Sequence, residues 1–181
     1  MLTPRIDTAP QVQQLRDEKD AFDLVETCKF RIRTPEDAAR AAAMAAHMFH
    51  DPDRVRAGLY ELLINAVEHG VLEIGYALKT RLIADNMWQE EVRRRLSLPD
   101  NRKKHAEMVV ARRQDGVVAV ITDPGKGFEW QRYLTIDPAR AADTHGRGIA
   151  QARSACFDRL TYNDDGTQVV AWSRDAPDIA W

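Results

Sequence analysis

A carboxylate and a carboxamide lie one helical turn apart in the segment from Leu59 to Gly70. Glu61 and Asn65 are spaced so that both point from one face of a helix, and Glu68 follows on that face. A glutamate there can accept the proton of an attacking hydroxyl or water, and an asparagine carbonyl oxygen is a hard neutral ligand suited to Mg²⁺. The alternative is an exposed polar helix face.

A second candidate group follows an apolar strand pattern that ends at Thr122. The residues are Asp123-Pro124-Gly125-Lys126-Gly127-Phe128. Glycines in this spacing let the backbone turn tightly and approach a ligand closely, and the aspartate presents an acceptor at the strand end. The alternative is an ordinary Asp-Pro-Gly turn.

A third group, Gly146-Arg147-Gly148, precedes a helical pattern that extends to about Cys156. Unobstructed backbone N–H groups and the positive end of the helix dipole favour an anion such as phosphate at this kind of helix start. Arg147 lies between the glycines and can contact the anion, and Arg140 is a second candidate cation.

Together, the ExxxN helix, the DxGxG strand end and the GxG helix start resemble the N, G1 and G2 boxes of the Bergerat-fold ATPases. Within that superfamily, the NAVEHG residues 65–70 are most similar to the anti-sigma regulatory factor kinases of the SpoIIAB and RsbW type. Phe157-Asp158, followed by Asp165-Gly166-Thr167, extends this similarity. The resemblance covers 30–173, apart from an insertion at 71–104.

The resemblance implies an ATP- and Mg²⁺-dependent serine/threonine kinase in which Glu61 is the catalytic base and Asn65 the metal ligand. It implies that Asp123 accepts the exocyclic amine of adenine, which distinguishes ATP from GTP, and that Thr167 supports the same base through water. The nucleotide-binding residues so implied are Asn65, Asp123, Gly125, Gly127, Gly146, Arg147, Gly148 and Thr167. The family has a small or apolar residue where this chain has Arg147, so the identity of the basic residue that contacts the phosphates is left open.

The elements that must position these residues are indicated by local patterns. Thr34-Pro35 predicts a helix start after a short strand, and Asp51-Pro52 predicts a second helix over about 53–69. Two strands at 109–112 and 117–122, a helix at 146–156 and a closing hairpin at 160–172 follow. This order predicts an α+β two-layer sandwich, with helices on one face of a mixed, mostly antiparallel sheet.

The insertion at 71–104 has apolar residues at helical spacing, which predicts one surface helix or a helical pair. Gly70 and Pro99 at its ends indicate a discrete unit, and we expect it to border Glu61 and Asn65. Trp88 is either a contact residue for a partner or ordinary core packing. The stretch 129–145 is expected to be a mobile ATP lid.

Composition limits the class of protein. The chain has 181 residues, of which 44% are hydrophobic and 30% charged, with a net charge of −2; this predicts one globular domain (24–181) after an N-terminal arm (1–23) and disfavours nucleic-acid or anionic-membrane partners. The uncharged stretch 41–50 is shorter than the roughly 20 residues of a membrane span, and no secretory signal is evident, so we expect a cytoplasmic protein. Cys28 and Cys156 are expected to be buried thiols.

The leading hypothesis is therefore a kinase in bacterial partner switching that phosphorylates a small STAS-type anti-sigma-factor antagonist and also binds a sigma factor. Whether the protein forms a homodimer is left open. Two alternatives remain: an ATP-gated protein-binding module without phosphotransfer, and a detached histidine-kinase catalytic domain. His69 is expected to have a capping or hydrogen-bonded role rather than to accept a phosphoryl group.

Overall fold

The computed structural model describes residues 22–134 and 146–175. Almost all of the predicted N-terminal arm, most of the predicted lid and Arg140 lie outside these described residues. The described ranges contain every other predicted site residue.

A five-stranded sheet forms one layer of the fold, in the order β1-β2-β3-β5-β4. All four pairings among the described strands are antiparallel, so the sheet differs from the mixed sheet that was expected. The two strands predicted at 109–112 and 117–122 form an antiparallel hairpin whose turn contains Asp115-Gly116, a dipeptide typical of tight hairpin turns, and Arg113 is paired with Gly116. The strands are β1 Thr27–Ile32, β2 Ala106–Arg113, β3 Gly116–Thr122, β4 Arg159–Tyr162 and β5 Gln168–Arg174.

Helices form the second layer. The α-helices are α1 Pro35–Ala46, α2 Pro52–Asn65, α3 Tyr76–Ala84, α4 Trp88–Ser97 and α5 Gly148–Gln151. Two of them continue as π-helical turns, α2 through Ala66–Val71 and α5 through Ala152–Cys156, and 3₁₀ turns lie at Pro99–Asn101 and Trp130–Tyr133. The insertion is thus a helical pair, one of the two forms expected from its sequence.

Capping residues begin the first two helices where the sequence predicted. Thr34 accepts a hydrogen bond from the backbone N–H of Asp37, and Asp37 accepts from the N–H of Thr34 in return, which completes a capping box. Asp51 accepts from the N–H of Arg54 at the start of α2. These bonds satisfy N–H groups that have no partner within the helix.

The core lies between the two layers. Alternate strand residues such as Ile32, Met108 and Ile121 are buried and belong to one cluster with Leu59 and Leu63 of α2. This alternation is what a sheet covered on one face requires, and it supports the predicted two-layer α+β architecture. Among the described residues, no helix is both long and apolar enough to cross a bilayer.

Candidate functional site

Helix α2 presents Glu61 and Asn65 to a cavity on the helical side of the sheet. Both side chains are partly buried and line this cavity. Burial raises the pKa of Glu61 above its usual value, and the positive charge of Lys79 opposes this rise. A carboxylate with a raised pKa is a stronger base, so the environment of Glu61 suits proton abstraction.

Immediately after Asn65 the helix widens into the π turn, and Glu68 becomes 1% exposed. Its carboxylate is held by two residues of the insertion: Lys79 Nζ lies 2.5 Å from Oε2, and Trp88 Nε1 donates to Oε1 at 2.8 Å. The sequence placed Glu68 on the same face as Glu61 but assigned it no role. In the structure it attaches α3 and α4 to the helix that carries the candidate base.

His69 is also part of this turn, and its Nδ1–H donates to the backbone carbonyl of Ile74. Burial lowers the pKa of the imidazole, which favours the neutral ring. The hydrogen-bonded role predicted for His69 is therefore confirmed.

Asp123 occupies the end of β3, where burial raises the pKa of its carboxyl to about 6. The N–H of Gly125 donates to Oδ1 at 2.8 Å, so one carboxylate oxygen is already engaged within the turn. Gly70 packs so closely that a Cβ atom there would overlap the carboxylate. Gly70, near the end of the π turn, thus lets the α2 segment approach the strand end.

Gly127 and Thr167 complete the wall beside Asp123. Gly127 has φ +75°, a conformation that favours glycine, and a Cβ on it would overlap the carbonyl of Asp165. The N–H of Asp123 donates to the carbonyl of Thr167 at 2.9 Å, while Thr167 Oγ1 accepts from Asn163 Nδ2. The predicted partners Asp123 and Thr167 are therefore adjacent in the structure.

The glycines of the third group lie against α2 and α3. Gly146 has φ +87°, and a side chain there would collide with the ring of Tyr76 at the start of α3. Gly148 begins α5, and a Cβ on it would overlap the carboxylate of Glu61. Arg147, between them, is exposed and lines the same cavity.

An aromatic cluster closes one side of the cavity, with ring centroids 5.5–5.9 Å apart between neighbours. It connects the insertion to the turn that follows Asp123 and to strand β4. Burial, with the negative charge of Asp123, raises the pKa of the Tyr162 hydroxyl, so this ring stays neutral near neutral pH. The members are Tyr76, Tyr133, Phe128, Tyr162 and Trp130.

The cavity formed by these elements has a volume of about 1170 Å³, enough for a nucleotide-sized ligand. Eight of the nine predicted site residues line it. The ninth, Gly125, lies behind Asp123 and serves the turn through its hydrogen bond. The eight are Glu61, Asn65, Asp123, Gly127, Gly146, Arg147, Gly148 and Thr167.

The donor set suits a magnesium ion held largely by a ligand's own phosphates. Asn65 contributes a carboxamide oxygen to the cavity, and oxygen is the donor that Mg²⁺ prefers. In the described ranges no group of three or more His, Cys, Asp or Glu side chains is placed to hold a metal ion. A metal at Asn65 would therefore take most of its ligands from phosphate and water.

The sequence led us to expect that the insertion borders Glu61 and Asn65, and its residues do line the same cavity. What sequence reasoning missed is which insertion residues do so, namely Tyr76, Lys79 and Trp88. A lysine and a tryptophan at helical spacing carry no specific signal.

The insertion is also more firmly attached than the expected discrete unit. Arg33, which lies outside the insertion, donates to the carbonyl of Leu96 in α4, and Val92 of the same helix is buried in the core. These two contacts join α4 to the rest of the domain, whereas Arg95 donates to the carbonyls of Leu72 and Glu73 within the insertion.

We compared the chain with protein-family models, with curated proteins and with solved structures, and none of the three comparisons gave a match.

Proposed function

We propose that this protein binds ATP with Mg²⁺ and acts as a protein serine/threonine kinase of the anti-sigma-factor type, on a Bergerat-type fold. The observation that carries the proposal is the convergence of three motifs, far apart in sequence, on a single cavity. If the polar helix face, the glycine turn and the glycine-flanked helix start were unrelated features, nothing would require them to line the same cavity.

Each wall of the cavity has a different task in this proposal. Asp123 and Thr167 receive the adenine, with the free carboxylate oxygen of Asp123 accepting the exocyclic amine. Gly146 and Gly148 receive the phosphates, and Asn65 holds Mg²⁺, which would offset the negative charge of the triphosphate. Glu61 accepts the proton of the attacking hydroxyl.

The resemblance supplies the partners in this proposal. The acceptor is a Ser or Thr of a small STAS-type antagonist, and a sigma factor is a second binding partner. The protein would then act within bacterial partner switching, where phosphorylation decides which partner is held.

The test has two stages. Calorimetry should show Mg²⁺-dependent ATP binding and much weaker GTP binding, because guanine presents a carbonyl where adenine presents its amine. Incubation with γ-labelled ATP and candidate antagonists encoded near the gene should then label an antagonist on Ser or Thr. GTP binding equal to ATP binding would contradict the assignment of Asp123.

Glu61→Ala separates a kinase from a nucleotide-gated binding module. A general base acts on the chemical step, so we expect phosphoryl transfer to fall about 100-fold or more while ATP affinity stays within a few-fold. ATP binding with no labelled acceptor in the unaltered protein would favour the binding module. Labelling of a histidine in a separate partner would instead favour a histidine-kinase catalytic domain.

A further inference from the structure

Helix α3 of the insertion lies along the cavity between the glycine-flanked helix start and the end of α2. Its first residue, Tyr76, packs against Gly146, and Lys79, one turn further along, pairs with Glu68. Residues three apart share a helix face, so both contacts are made by the side of α3 that lines the cavity. The insertion therefore forms the wall where the two motifs meet.

Lys79 brings a partly desolvated positive charge to this wall. Its side chain is 16% exposed, and its partner Glu68 is almost fully buried. The ammonium has three N–H donors, so the bond to Glu68 leaves two for another acceptor. Its charge also reaches Glu61, where it opposes the burial-driven rise of that pKa.

We propose that Lys79, held in place by Glu68, is a phosphate-binding residue of the nucleotide site and that the insertion exists in part to supply this cation. This inference rests on the proposed function. The phosphates are assigned to the space bounded by Asn65, Gly146 and Gly148. Lys79 lines the same cavity from α3, which contacts Gly146 through Tyr76 and Glu68 through Lys79 itself. It fills the role that the sequence left open between Arg147 and Arg140.

Glu68 is the positioning residue in this arrangement. Its second hydrogen bond, from Trp88, fixes the carboxylate independently of Lys79. The ammonium of Lys79 in α3 is thus held by a carboxylate that is also fixed by Trp88 in α4. A cation placed in this way loses little side-chain entropy when a phosphate arrives.

The test compares Glu68→Gln with the double variant Glu68→Gln/Lys79→Met. The glutamine background is needed because Lys79→Met alone would leave a buried carboxylate without its counter-charge and would destabilise the fold. Calorimetry should measure the affinities of ATP and adenosine for both proteins, with thermal unfolding confirming that both are folded. Lys126→Met is the control, since Lys126 also lines the cavity but lies between Gly125 and Gly127, in the turn that the proposed function assigns to the adenine.

We expect the double variant to bind ATP at least 10-fold more weakly than Glu68→Gln, because a charge-assisted bond to phosphate is lost. Adenosine affinity should change less than 2-fold, and Lys126→Met should weaken ATP less than the double variant does. Equal losses for ATP and adenosine would mean that Lys79 only supports the fold, and an unchanged ATP affinity would also overturn the inference. Failure of the unaltered protein to bind ATP would instead refute the proposed function itself.

Discussion

The carboxylate of Glu61 lies directly against the backbone of Gly148, with no room for a side chain between them. This contact joins the helix that carries the candidate base to the start of α5, where the phosphates are assigned. Alanine is well tolerated in a helix, so the backbone conformation does not require glycine at this position. Glycine is required here because a Cβ atom would overlap the carboxylate of Glu61.

Gly148→Ala should therefore displace Glu61 while leaving the fold intact. We expect phosphoryl transfer to fall about 10-fold or more and the melting temperature to change by no more than a few degrees, because only the flexible end of a glutamate must move. Labelled transfer and thermal unfolding measure the two effects. Gly75→Ala is the matched control, since Gly75 has an ordinary φ of −69° and no neighbour near its Cβ position; equal transfer in both variants would contradict the role of the contact.

Removal of Mg²⁺ should expose the role of Asn65. In the unaltered protein, we expect a chelator to lower ATP affinity about 10-fold or more, because the metal links the triphosphate to the carboxamide oxygen. In Asn65→Ala the affinity should already be low and should respond little to the chelator. Asn65→Asp retains an oxygen ligand and should keep the metal dependence; calorimetry with and without Mg²⁺ distinguishes the three proteins.

Asp123 should make ATP affinity depend on pH. Its carboxyl has a pKa of about 6, so below that pH it is protonated and accepts the adenine amine poorly. Affinity should therefore fall as pH decreases from 7 to 5, beyond any change due to the nucleotide itself.

In Asp123→Asn, the N–H of Gly125 keeps the amide oxygen engaged, which turns the amide NH₂ toward the adenine amine. This mismatch should cost about 1–3 kcal/mol and remove the pH dependence.

The same substitution should stabilise the protein without nucleotide. The carboxyl pKa is higher in the folded chain than its value of about 3.9 in an unfolded chain, so the folded state binds more protons between these values. Stability from this group is present below about pH 4 and is lost as pH rises to about 6. At pH 7.5, Asp123→Asn should therefore melt above the unaltered protein, and a lower melting temperature would contradict the burial argument.

Much of the fold was predictable because its signals are local. Thr34-Pro35 and Asp51-Pro52 begin helices through contacts within four residues, and Asp115-Gly116 lies in the tight turn between two strands that are adjacent in sequence. The burial of Glu68 could not be predicted in this way. It depends on a π turn and on Lys79 and Trp88, which lie 11 and 20 residues further along the chain.

The candidate site shows the same division. The three motifs indicated which residues share a cavity, because the resemblance that they carry together implies one nucleotide site. The insertion was expected beside the site, but the aromatic cluster and the residues of α3 that line the cavity were not indicated, because these contacts form only when the insertion folds back onto Gly146. Their residues carry no motif, and only the structure brings them to the site.

The bond from Trp88 to Glu68 should contribute measurably to stability. Trp88→Phe keeps an aromatic ring against the core but deletes the N–H that donates to Oε1 at 2.8 Å. A buried carboxylate that loses one of two donors should cost the fold about 1–3 kcal/mol, measured by urea unfolding. Glu68→Gln removes the charge that makes this bond strong, so in that background the same substitution should cost much less. A double-mutant cycle with an interaction energy near zero would show that the two side chains are not coupled, and that α4 is held instead by the burial of Val92 and the bond from Arg33 to the carbonyl of Leu96.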